Sequence, residues 1–106
     1  MILTPGASIA GKRITQSFGL VYGNTIRARH AGKDILAGLK NLVGGEISEY
    51  TKLMAEAREQ ALDRMKESAR SQGANAIINL QFSTSYIMGS ASEILAYGEA
   101  VVVEDA

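Results

Sequence analysis

The sequence predicts an α+β domain of two layers, in which a small antiparallel sheet packs on one long and one short helix. Three observations predict it. Residues 46–72 place apolar side chains at the 3.6-residue period of a helix. Residues 12–26, 75–88 and 93–103 alternate at the period of two that a strand requires. The order strand, short helix, long helix, strand, strand keeps the helices together and the last two strands adjacent, which separates α+β from a βαβ repeat.

Taken in order, residues 12–26 put Ile14, Gln16, Phe18, Leu20 and Tyr22 on one face and Thr15, Ser17, Gly19, Val21 and Gly23 on the other. The two glycines leave that second face nearly bare, which predicts a bend, a bulge or a close backbone approach. Asn24 and Thr25 are the expected turn. Residues 33–43 predict a short helix with Ile35, Leu36, Leu39, Leu42 and Val43 on its buried stripe, ended by Gly44 and Gly45. In residues 46–72, Ile47, Tyr50, Met54, Ala57, Ala61, Met65 and Ala69 share one arc, flanked by Leu53 and Leu62. Glutamates, lysines and Arg70 gather opposite, as on a solvated face. Gly73 follows as the residue that ends the helix. Residues 75–88 direct Ala76, Ile78, Leu80 and Phe82 to one side. Residues 93–103 direct Ile94, Ala96, Gly98, Ala100 and Val102 to one side and Leu95, Tyr97, Val101 and Val103 to the other. Gly89, Ser90 and Ala91 form the expected hairpin loop.

Composition bounds the chemistry. A chain of 106 residues makes a single domain, residues 1–106. Eleven basic and eleven acidic side chains give a formal net charge of zero, which supports no broad electrostatic capture of nucleic acid. With no cysteine and one histidine, thiol chemistry, Cys-based metal sites and disulfides are excluded. No apolar run reaches the ~18 residues of a membrane span, and the first residues lack the basic start and apolar run of a signal peptide. The expected compartment is the cytoplasm, with no membrane partner. No catalytic signature or cofactor motif is present, so no enzyme and no cofactor are expected.

The last strand bears on partners. A sheet with helices on one face should be polar on the other, yet Leu95, Tyr97, Val101 and Val103 make both faces of this strand apolar. We therefore expect these four residues to meet another subunit. The alternative is that residues 1–10 fold back over them.

Several motifs, in this order and spacing, carry a family likeness: GLVYG (19–23), DILAGLKNLVGG (34–45), Tyr50, Glu56, Ala57, Arg58, Ala61, Leu62 and GANAI (73–77). Together they resemble the YbjQ-like family, which bears the label "putative heavy-metal-binding". The likeness covers almost the whole chain and is weakest after Tyr86. It implies a two-layer subunit of dodecin-like topology and a ring-shaped homo-oligomer, a pentamer. It implies no established reaction. Soft heavy metals prefer thiolate and imidazole ligands, so no metal ligand is assigned in this chain.

Two groups of residues remain as candidate sites. Arg27, Arg29, His30 and Lys33 form the one dense cationic cluster, just ahead of the predicted short helix, and make a small anion the candidate ligand. Tyr50 and Arg58 lie two turns apart on the long helix and offer an alternative, an enzyme pocket at a subunit interface. Arg58 and Arg64 stand at the edge of the apolar arc, where an arginine lies along apolar surface or pairs with Glu93 or Glu99. The reading that follows is a non-enzymatic, ring-forming homo-oligomer, acting as an assembly or small-ligand-binding module. An anion- or metal-binding sensor at the cationic cluster is the other alternative.

Overall fold

Long runs of β-branched and small residues on either side of one amphipathic segment build a sheet with a helix on one face. The computed structural model describes residues 1–28, 45–88 and 91–106, with backbone alone for residues 28, 45–50 and 87–88. The predicted short helix at residues 33–43 and the loop at Gly89 and Ser90 lie outside the described residues. The elements are β1 (Ile2–Leu3), β2 (Lys12–Ala28), α1 (Gly45–Gln72), β3 (Ala76–Met88) and β4 (Ala91–Asp105). They form one four-stranded sheet in the order β1-β3-β4-β2. β4 runs antiparallel to both β2 and β3, whereas β1 runs parallel to β3. The sheet is therefore mixed, and the expected purely antiparallel sheet is corrected at β1. The β-α-β-β order of the remaining elements is the expected one. Principal extents of 56 × 23 × 17 Å make the body a long blade.

The helix follows its sequence pattern closely. Ala57, Ala61, Met65 and Ala69 are fully buried and meet Val21, Ile77, Ile94, Ala96 and Ala100 of the sheet, with Met54 and Leu62 at the margin. Asp63 and Lys66, and Glu67 and Arg70, pair on the far side at 3.4 and 3.7 Å. Gly73, at φ 98°, ends the helix. Its N–H donates to Arg70 O and that of Ala74 to Ala69 O, the paired bonds that satisfy a helix's last carbonyls.

Gly23 explains where the helix sits. A Cβ on Gly23 would lie 2.9 Å from the Arg64 carbonyl carbon and closer still to Ala61 O and Met65 N. The helix backbone thus rests directly on β2. It spans β2 and β4 and scarcely reaches β3. The strand itself runs through Asn24 and Thr25 without the expected turn.

Bulges redistribute the faces. β2 slips register between Ile14 and Gln16 and again between Ser17 and Gly19, where Gly19 takes φ 83°. Phe18 consequently packs against the helix side while Leu20 and Tyr22 point away. β3 slips between Ile78 and Gln81, with Asn79 at φ 54°. Ile77, Leu80 and Phe82 therefore share the helix side, and Ala76 and Ile78 the opposite one. Gly98 lies across this bulge, where a Cβ would stand 2.8 Å from Ile78 O.

The N-terminal segment locks onto the bulge. Thr4 N donates to Ile77 O, Leu80 N to Thr4 O and Asn79 N to Gly6 O. Beyond it, Ile9 covers Ala76, Ile78, Val101 and Val103 in a second small core. Val101 is 0% exposed and Val103 6% within the single chain. The expectation that both need another subunit is corrected: the N-terminal segment folds back over them through Ile9, and Ala76, directly opposite Val101, joins them on that side together with Ile78.

Candidate functional surface

The sheet face opposite the helix is the candidate site. Its far half, beyond the reach of Ile9, carries outward residues from β2 and β4. Tyr22 stands directly across from Tyr97, Leu20 from Glu99 and Asn24 from Leu95. Leu20, Tyr22, Leu95 and Tyr97 line a shallow depression of about 420 Å³. Leu20 is 69% exposed and Tyr22 59%, high values for a paired aromatic and a leucine on a sheet.

Polar groups frame this patch. Tyr97 Oη donates to Gln81 Oε1 at 3.0 Å. Asn24 Nδ2 donates to Glu93 Oε2 at 3.1 Å, and Ser17 Oγ to Glu99 Oε2 at 2.9 Å. Both carboxylates lie opposite the helix, so neither pairs with Arg58 or Arg64. Arg64 Nη1 instead donates to Asn24 O at 2.6 Å, tying the helix to β2 where Gly23 admits it. A neighbouring depression of about 300 Å³ is lined by Asn79, Gln81, Tyr97, Gly98, Glu99 and Leu20.

At the start of β2 and the end of β4, Lys12 pairs with Asp105 and Arg13 with Glu104. The hydrogen bond from Lys12 and its charge hold the Asp105 carboxyl below its usual 3.8.

The sequence-predicted residues are distributed as follows. Leu95 and Tyr97 lie half-buried in the patch, while Val101 and Val103 lie under Ile9. Leu20 and Tyr22, which alternation places on one face of β2 without marking them as a site, complete the patch. Their signal was present in the alternation of β2, but only pairing with β4 joins them to Leu95 and Tyr97. Arg27 lies next to the end of β2, opposite Ser92, and is half-buried, and its Nε is enclosed with no hydrogen-bond partner among the described residues. Arg29, His30 and Lys33 lie outside the described residues. Arg58 is exposed on α1 and has no ion pair among the described residues. Tyr50 belongs to α1, and its side chain is outside what is described.

A family model described as "Putative heavy-metal-binding", the YbjQ-like model, matches residues 1–104. The chain belongs to the YbjQ-like family. Similar proteins carry the name UPF0145. A UPF0145 protein of Dehalococcoides mccartyi is 59% identical over 104 residues, 98% of this chain and 100% of that protein. One of Methanosarcina acetivorans is 52% identical over 103 residues, 97% of each chain. Among solved structures, a protein of unknown function of the DUF74 family from Pediococcus pentosaceus is similar with a TM-score of 0.64, at 18% identity and 98% coverage of both chains. That likeness concerns the fold.

The heavy-metal label does not fit the donors of this YbjQ-like chain. It has no cysteine and one histidine, and thiolate and imidazole are the ligands soft metals take. Met65 is sealed in the core and Met54 packs at its margin. Among the described residues no three His, Asp or Glu side chains come together as a metal group. No described helix is long and apolar enough to cross a membrane.

Proposed function

We propose that this YbjQ-like chain is a non-enzymatic, cytoplasmic subunit that assembles with copies of itself into a ring, five by family likeness. It acts as an assembly or small-ligand-binding module. The apolar patch of Leu20, Tyr22, Leu95 and Tyr97 carries the reading. One helical layer covers one sheet face, and an open aromatic and leucine cluster on the other gains by excluding water. At ~25 cal/mol per Å², an interface of ~1,600 Å² has ample gross driving force against the cost of association. Native mass spectrometry tests the assembly and reports any co-purified small molecule. The expected result is a discrete multiple of 11.3 kDa; a monodisperse monomer at micromolar concentration overturns the reading.

A second reading rests on Arg27. An enclosed guanidinium N–H without a partner among the described residues is costly, and a small anion would satisfy it. Inorganic phosphate should then raise the melting temperature, and Arg27→Met should abolish the rise. An unchanged midpoint at millimolar phosphate overturns this second reading.

A further inference from the structure

The far half of the sheet face opposite the helix carries two carboxylates and, among the described residues, no lysine or arginine side chain to balance them. Glu93 accepts from Asn24 Nδ2 and Glu99 from Ser17 Oγ, both neutral donors. Neither has an ion pair among the described residues. The described cations stand elsewhere. Lys12 and Arg13 are paired with Asp105 and Glu104 where β2 begins. Arg27 is opposite Ser92, in the row of Ile94 and Ala96 that meets the helix. The remaining described lysines and arginines belong to α1, on the other side of the sheet.

The two carboxylates are six residues apart on one strand, on the order of 20 Å, so no single metal ion spans them. No group of three acidic or imidazole side chains forms around either among the described residues. What lies between them is apolar: Leu95 and Tyr97. The depression of about 420 Å³ lined by Leu20, Tyr22, Leu95 and Tyr97 shares Leu20 and Tyr97 with the one of about 300 Å³ that reaches Gln81 and Glu99. They make one trough with an apolar floor and a carboxylate at one end. Tyr97 is held by its 3.0 Å bond to Gln81, and Tyr22 stands directly across from it. Tyrosine ring faces attract cations, and an apolar wall with a few placed polar groups is what orients a small molecule.

We propose that this trough binds a small organic cation, an ammonium group on an apolar body, with the body against Leu20, Tyr22 and Tyr97 and the charge at Glu99. An inorganic cation would leave the apolar floor wet, and an anion would meet uncompensated carboxylates. Like charges brought together across an interface are costly, so copies that meet through this face meet more readily with the cation in place. The proposal rests on the small-ligand-binding reading above and names the class of ligand.

Phenethylammonium, 2-phenylethanol and 3-phenylpropionate share an apolar body and differ in charge, and an NMR titration with each tests the site. Phenethylammonium should shift the amides of residues 20–22 and 95–99 and bind about tenfold more tightly than the other two. Glu99→Gln should reduce that preference to about threefold or less, whereas Glu93→Gln should leave it within about twofold. Tyr22→Leu, at an exposed position, should weaken phenethylammonium by about threefold. Equal affinity for the three probes overturns the proposal, and displacement of phenethylammonium by equimolar magnesium overturns it in favour of an inorganic ion. Equal losses from Glu93→Gln and Glu99→Gln overturn Glu99 as the seat of the charge. No binding of any probe, with an oligomeric native mass retained, overturns this site and leaves the assembly standing. A monomeric native mass with phenethylammonium still bound overturns the assembly and leaves the site standing.

Discussion

Gly23→Ala tests the central packing of the fold. The added methyl would meet backbone, the Arg64 carbonyl carbon at 2.9 Å and, nearer, Ala61 O and Met65 N. Backbone cannot rotate aside as a side chain can, and ordinary carbon contacts begin near ~3.5 Å. The helix must therefore lift by about 1 Å. A gap of that size forfeits roughly a quarter to a half of each contact's attraction. The layer affected holds Val21, Ala57, Ala61 and Met65. Overpacking of this kind costs about 3 kcal/mol, or a fall of ~12–24 °C in Tm for a domain of this size. Thermal unfolding by circular dichroism, at matched protein concentration, measures it. Ala61→Gly should give no rescue, since the clash is with main chain. Gly19→Ala supplies the contrast: nothing lies within 4 Å there, and its cost is left-handed strain alone, about 1–2 kcal/mol. A Gly23→Ala protein melting within about 2 °C of the parent would refute the placement of the helix on β2.

Met65→Ala, at a fully buried site between helix and sheet, should cost ~2–5 kcal/mol in a urea titration. Leu95→Glu and Val101→Glu should separate surface from core. The first is expected to disperse the assembly and leave a folded monomer by light scattering. The second buries an unpaired charge under Ile9 and should lower Tm by ~10 °C or more, a cost of several kcal/mol. Equal behaviour of the two would contradict the division of this face. Asp105 has its folded pKa lowered by Lys12, so its contribution is present above the ordinary carboxylate range and fades as pH falls through the folded pKa. Asp105→Asn should flatten that acid limb of a Tm-against-pH curve and leave the rest of the curve parallel to the parent's.

The helix was legible almost residue by residue, because its burial depends on a local period that sequence displays directly. Ala57, Ala61, Met65 and Ala69 occupy the expected arc, and Gly73 ends it. The apolar surplus of β4 was legible too. Which part of it stays open was not. That depended on residues 1–10, whose parallel pairing with β3 is a contact across more than seventy residues of chain. The candidate surface was half legible: Leu95 and Tyr97 were marked by their own strand, whereas Leu20 and Tyr22 join them only through the β2–β4 register.

The sequence by itself determined the α+β class, the helix and its buried stripe, the approximate locations of the three long strands and the want of soft-metal donors. Only the tertiary structure decided which side each strand residue faces. A single extra residue in a ladder exchanges the two faces of everything beyond it, and bulges at Gly19 and Asn79 do this where alternation alone reads straight through. The same structure decided that Val101 and Val103 belong to the chain's own core, because burial there comes from a segment distant in sequence and near in space.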